Sequence, residues 1–406
     1  MIYFDNAATT FPKPPCVAKA VQEALVRYGA NPGRGGHDLS IETARRVYRC
    51  RELAAQLFCC QPEQVVFTKN CTESLNIVIK GVLRPGDHVI ISDLEHNAVY
   101  RVVDALARQG LITYSVAETC PSDEKTVWNF EHLIRPNTRL IVCTQGSNVF
   151  GVRVPVEKIG AMVRRHASNV TGVVQPVAAL SAALKPYGVP LLVDAAQTAG
   201  LLDINLRESA IDYLCLPGHK GLYGPAGTGL LIVNCDLLPA SLLEGGTGSF
   251  SMEAQMPDFL PDLLEAGTVN TPGILGLGAG IGFVLQHTPA RLYRREMDLC
   301  AYLYRGLSRI DGVKLYSPPP RMGKSLPLIA LNLGTLDSTR AAELLNEHHI
   351  AVRAGFHCAA LAHRKWHTDR DGVVRVSLGA FNTPAQAQAF CAAAQEILRR
   401  TRGKKS

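Results

Sequence analysis

Short apolar runs alternate with longer stretches of helical periodicity through the first two thirds of the chain. Residues 65–68, 89–92, 140–143, 191–193, 213–216 and 230–233 read as strands. Between most of them lie segments of helix length, such as 97–109 with Gly110 as a stop signal. This alternation predicts an α/β domain built on a mainly parallel sheet. In such sheets ligands bind beyond the carboxyl ends of the strands. His96, Asp194 and Lys220 all stand just past such ends.

After about residue 262 the pattern changes. A glycine-rich apolar segment, 274–285, precedes a charged helical pattern over 290–310, a proline-rich connection at 317–320, and further helix and strand signals. A smaller C-terminal α+β domain is expected. A chain of 406 residues is long for one core and suits two domains.

Composition narrows the class only a little. Hydrophobic residues at 47% and charged residues at 19% are ordinary for a soluble enzyme. The net charge of +7 is mild and sits partly in the basic tail 399–405, which a frayed, solvated end explains more simply than nucleic-acid contact. No run is apolar enough to span a bilayer, and the start of the chain lacks a basic-then-apolar leader pattern. The 12 cysteines are scattered, without Cys-x-x-Cys spacing. Cys143 and Cys215 fall in apolar runs, and Cys300 and Cys391 on helix faces, where thiols act as small hydrophobes. A reducing cytoplasm is the expected setting.

Chemistry enters at Asp194-Ala-Ala-Gln197 and Pro217-Gly-His-Lys220, each closing an apolar run. A glycine-rich turn, 221–229, comes directly after the lysine. Burial depletes an amine of its proton and readies it to attack a carbonyl carbon. A carboxylate in the same pocket is what a pyridinium nitrogen requires. Taken singly, one motif is an ordinary strand end and the other an ordinary loop. Their order and shared placement after strands read as a pyridoxal phosphate site.

From here the chain resembles the class V aminotransferases of pyridoxal-phosphate fold type I, and within them the cysteine desulfurase and selenocysteine lyase group. Matching stretches run nearly end to end. They are Tyr3-Phe-Asp-Asn-Ala-Ala-Thr-Thr10, residues 66–76, Glu95-His-Asn97, Gly267-Thr-Val-Asn-Thr271, residues 351–358 and Val374-Arg-Val-Ser-Leu-Gly379. The change of pattern predicts a large domain over 14–262 and a small domain over 263–406, and the resemblance implies that residues 1–13 pack with the small one. The resemblance implies a homodimer, with Thr268 reaching the phosphate of the neighbouring subunit. It also implies that Lys220 holds the cofactor aldehyde and moves protons, that Asp194 keeps the ring nitrogen protonated, and that Gln197 reaches the phenolic oxygen. His96 matches the histidine that stacks on the ring and serves in acid–base steps.

Asn70-Cys-Thr-Glu73 has the pattern of a helix N-cap, a natural phosphate cradle, with Thr72 as donor and His219 assisting. Where many relatives carry Ser or Thr two residues before the histidine, this chain has Pro217, which removes one donor. Arg375 matches the arginine that grips the substrate carboxylate, a task suited to a guanidinium fork. Arg353 is a second cationic candidate. Arg34 and His37 lie in a loop that approaches the active site in relatives.

A segment peculiar to this chain repeats. The 21-residue unit beginning Ser147-Asn-Val-Phe-Gly recurs as Ser168-Asn-Val-Thr-Gly, so the tandem spans 147–188 and offers two candidate asparagines. Asn148 comes directly after a strand, which favours it for substrate binding. Asn169 comes after a helical segment but keeps the family-like spacing to Asp194.

Cys358, in Arg-Ala-Gly-Phe-His-Cys-Ala, decides the expected activity. In cysteine desulfurases this thiolate takes sulfur from L-cysteine as a persulfide and leaves L-alanine. Arg353 and His357 would lower its pKa if they face it. The short run from Cys358 to Arg375 resembles the second group of desulfurases, which often depend on an acceptor protein. Alternatives are a selenocysteine lyase, an aminotransferase or β-lyase with an incidental Cys358, and a non-catalytic sulfur carrier. A metal site from Cys358, His363 and His367 lacks a fourth ligand at good spacing.

Overall fold

The computed structural model describes residues 1–32, 36–170 and 188–402, the side chains of 164–170 and 402 excepted. Seven strands form the main sheet in the order Val65–Thr68, Gly229–Val233, Tyr213–Pro217, Leu191–Asp194, Thr138–Thr144, Asp87–Ser92, Ile112–Ala117. Only Gly229–Val233 runs against the rest. The central strands are buried along nearly their whole length because helices cover both faces, which is why they read as unbroken apolar runs.

The second sheet has four antiparallel strands, in the order Arg353–Gly355, Val373–Ser377, Leu328–Leu333, Val313–Leu315. The first residues of the chain join this unit. Ile2–Tyr3 pairs in parallel with Ile350–Ala351, and Asp5 bridges to Ser377. The glycine-rich segment forms the helix Thr271–His287, which packs on Pro15–Arg27 and Asp38–Phe58. Among the described residues no helix is long and apolar enough to cross a membrane.

Two loops beyond adjacent strand ends interlock, and this positions the site. Gly200, at φ +81°, lies where a Cβ would stand 2.1 Å from the Gly221 carbonyl oxygen. A Cβ on Gly221 would stand 2.2 Å from the Ala199 carbonyl oxygen. Only glycines allow this approach, which brings the loop after Asp194 against the loop after Lys220. Two helix starts complete the rim. Asn70 caps Cys71–Val82 by accepting from the Glu73 N–H at 2.9 Å. His96 caps Asn97–Arg108, its Nδ1 accepting from the Ala98 N–H at 3.0 Å.

Candidate active site

A cavity of about 220 Å³ opens beyond the carboxyl ends of the main-sheet strands. Thr72, His96, Asn148, Asp194, Gln197, His219, Lys220, Arg353 and Arg375 line it, with Pro217 and His357 beside them. Of the main expected site residues, only Cys358 and Thr268 stand outside this space.

Asp194 is the last residue of its strand. Its Oδ1 accepts from the Ala196 N–H at 2.8 Å and from the Cys71 thiol at 3.5 Å, leaving Oδ2 without a partner among the described residues. The Cys71 thiol is held protonated well above its ordinary range, chiefly by burial and then by the Asp194 charge. Lys220 has its pKa lowered by burial, with Asp194 opposing that shift and Arg375 reinforcing it. The shift favours the uncharged amine, the form able to attack a carbonyl carbon. The carbonyl before it, on His219, accepts from the Thr10 N–H, the Thr9 and Thr10 hydroxyls and Lys13 Nζ, the last at 2.6 Å. Burial brings Lys13 down to about 8.

His96 is kept uncharged mainly by burial, which Asp194 partly offsets. Because Nδ1 accepts the capping bond, the proton of the neutral ring sits on Nε2. Burial, together with the Lys220 and Lys13 charges, lowers His219 to about 4. The helix cap at Asn70 leaves the Cys71 and Thr72 N–H groups open for an anion at the positive end of a helix. Gln197 spends one amide N–H on the Ala7 carbonyl at 3.1 Å and keeps the other.

Asn148 stands in a tight turn closed by the Ser147 N–H on the Val152 carbonyl at 2.8 Å. Its side chain donates to the His357 carbonyl at 2.8 Å. Asn169 carries its side chain outside the described residues, as does most of the second copy of the repeat. Arg375 is 2% exposed and already engaged, donating to Asp5 Oδ1 at 2.7 Å and to the Asn148 carbonyl at 2.9 Å. Arg353, paired with Arg375 across adjacent strands, is exposed at the mouth.

Cys358 is exposed and does not line the cavity. It sits on a turn where His357 and Cys358 both take positive φ, 48° and 56°. The Cys358 carbonyl accepts from the Asn97 N–H at 2.7 Å, so the turn lies beside His96. His357 is turned inward, with Nε2 on the Val373 carbonyl at 3.0 Å. Burial and the nearby Arg375 lower it to about 3, so it supplies no cation to the thiol. Thr268 lines a separate cavity of about 150 Å³ with Leu243, Glu265 and Asn270. Arg34 lies outside the described residues; His37 is exposed and caps Asp38–Phe58.

Asp5, Lys13 and Cys71 escaped the sequence reading as functional residues. Asp5 and Cys71 fell inside matching stretches, but nothing in their spacing revealed their partners.

A strand-end cavity that gathers a lysine of lowered pKa, a nearby carboxylate and the open N–H groups of a helix start has the features an enzyme site on an α/β fold requires for carbonyl chemistry. The chain belongs to the class V aminotransferase family: the family model described as Aminotransferase class-V matches residues 2–167 and 162–390. The two pieces meet inside the repeated segment. A probable cysteine desulfurase of Methanothermobacter thermautotrophicus is 31% identical over 98% of this chain and 94% of its own. A cysteine desulfurase of Klebsiella pneumoniae is also 31% identical, over 98% and 93%. The apo cysteine desulfurase structure from Thermococcus onnurineus superposes with a TM-score of 0.84 at 29% identity, covering 98% of this chain and 94% of that one.

Proposed function

We propose that the protein is a pyridoxal-phosphate-dependent cysteine desulfurase, converting L-cysteine to L-alanine and passing the sulfur through a persulfide on Cys358. The observation that carries this reading is the convergence of Lys220, Asp194 and His96 on one cavity with the Cys358 turn hydrogen-bonded to its rim.

The donor set fits the cofactor. Lys220 would hold its aldehyde carbon, Asp194 Oδ2 its ring nitrogen, and the second Gln197 N–H its phenolic oxygen. The Cys71 and Thr72 N–H groups, the Thr72 hydroxyl and His219 would hold its phosphate. When bound, the cofactor withdraws electron density from the substrate's α-carbon, which makes the Cβ–S bond cleavable.

The chain's own groups do the rest. Arg375 and Arg353 take the substrate carboxylate. Lys220, whose burial favours the neutral amine, removes the α-proton at Nζ and later returns a proton. The Cys358 thiolate attacks the substrate sulfur; an S–S bond forms, the Cβ–S bond breaks, and its electron pair stays on Cβ. Protonation of Cβ yields alanine: carbon is reduced and the Cys358 sulfur is oxidised to a persulfide. His96, with its proton on Nε2, is the group beside the Cys358 turn suited to move that proton. An external thiol or an acceptor protein then removes the outer sulfur.

Leu243, Phe250, Met252 and Phe259 are exposed, and Leu243 lines the Thr268 cavity. This supports a homodimer in which Thr268 serves the partner's phosphate site. A selenocysteine lyase acting without the thiol is the second reading, favoured by the position of Cys358 outside the cavity lining.

The test measures alanine and sulfide from L-cysteine with a reductant, for the wild type and Cys358→Ala. Equimolar products that vanish in the variant are expected. Alanine release that survives the substitution would overturn the persulfide role and turn attention to selenocysteine.

A further inference from the structure

Arg375 presents a problem that the proposed reaction does not solve. A guanidinium this deeply buried needs a counter-charge and a fixed orientation before a substrate arrives. Asp5 is the one described carboxylate that bonds it, through Oδ1 to one terminal nitrogen at 2.7 Å. The other terminal nitrogen is committed to the Asn148 carbonyl, and Nε has no partner among the described residues. Asp5 itself is held in place, since Ser377 N–H donates to the Phe4 carbonyl at 2.7 Å and Asp5 bridges to Ser377. Beyond Arg375 the line continues: Asn148 Nδ2 donates to the carbonyl of His357, the residue before Cys358. One unbroken chain of contacts joins the N-terminal segment, the carboxylate-binding arginine and the nucleophile's turn.

We propose that Asp5 is the positioning residue of the substrate-carboxylate site. It sets the plane and depth of the Arg375 fork, and through Arg375 and Asn148 it holds the Cys358 turn in register with that fork. This rests on the reading of Arg375 as the carboxylate-binding group. It adds that selectivity for α-amino acids over simple amines depends on Asp5, a residue with no carboxylate-binding capacity of its own.

The experiment measures binding of L-alanine and of ethylamine to the cofactor-loaded protein by the change in cofactor absorption, for wild type, Asp5→Asn and Asp5→Glu. The two ligands differ by the carboxylate. For Asp5→Asn, L-alanine affinity should fall at least tenfold while ethylamine affinity changes less than twofold. The rate at which iodoacetamide alkylates Cys358 should change in the same variant. Asp5→Glu keeps the charge but shifts it by one methylene, so it should show the same selective loss in smaller degree. Equal losses for both ligands, or unchanged L-alanine binding, would overturn the proposal. If Asp5→Asn does not fold, Asp5→Glu decides on the same criterion. Selective loss in a protein whose wild type makes no alanine from L-cysteine would refute the desulfurase reading and leave this one standing. A wild type that does not discriminate between the two ligands would refute the carboxylate role of Arg375 and this proposal with it.

Discussion

Gly221 sits directly after Lys220 and makes a sharp steric prediction for Gly221→Ala. The added Cβ would stand 2.2 Å from the Ala199 carbonyl oxygen, whereas ordinary contact begins near 3.4 Å. The two loops would have to part by more than 1 Å. The oxygen cannot swing aside cheaply, because Ala199 N–H is bonded to the Ala195 carbonyl at 2.9 Å and Gly200 holds a left-handed φ. Overpacking of this kind costs about 1–3 kcal/mol. Displacing a reacting group by about 1 Å costs on the order of 10²-fold in rate. Gly221→Ala should therefore take up cofactor poorly and lose roughly 10²-fold in kcat, with a lower melting temperature. Gly282 provides the control, since a Cβ there meets nothing within 4 Å and the residue lies in the helix Thr271–His287. Gly282→Ala should stabilise by up to about 1 kcal/mol with unchanged kcat. Cofactor absorption, steady-state desulfuration and thermal melts on the three proteins decide it. Wild-type kcat and cofactor uptake in Gly221→Ala would refute the claim that this contact sets the position of Lys220.

Buried charge and the elements flanking Cys358 lead to two more expected outcomes. Glu296 is 2% exposed, bonded by the Tyr223 hydroxyl at 3.4 Å, and burial raises its pKa to about 8. The unfolded value is about 4.3, so the folded state keeps a proton that the unfolded state releases, and stability falls as pH rises between the two. At about 1.4 kcal/mol per pH unit, the loss by pH 8 reaches roughly 5 kcal/mol as an upper bound. Glu296→Gln should match the wild type near pH 5 and exceed it near pH 8 in denaturant titrations; parallel pH curves would contradict the burial argument. Lys365 ends the helix Ala360–Lys365 just after Cys358, and its Nζ meets Asp93 Oδ2 at 2.6 Å and the Thr119 hydroxyl at 2.9 Å. Lys365→Met should cost about 1–2 kcal/mol, speed alkylation of Cys358 and lower kcat severalfold; an unchanged alkylation rate would show that this ion pair does not restrain the turn.

The sequence by itself determined the alternation of strands and helices, the parallel character of the main sheet, and the strand-end places of His96, Asp194 and Lys220. These are local matters: a buried strand must be an apolar run, and the residues next along the chain must emerge at the sheet's carboxyl edge. The same logic preferred Asn148, which lines the cavity just after Thr138–Thr144, while the side chain of its rival Asn169 lies outside the described residues. Charge states and partners belonged to the tertiary structure. Whether His357 would be a cation beside Cys358 or a neutral ring turned inward depends on burial and on Arg375, neither of which is encoded near residue 357. That Cys71 donates to Asp194, and that Asp5 occupies Arg375, comes from contacts spanning 123 and 370 positions. Periodicity shows which residues reach a sheet edge; only packing decides which group each one meets there, because desolvation and hydrogen bonding act through space rather than along the chain.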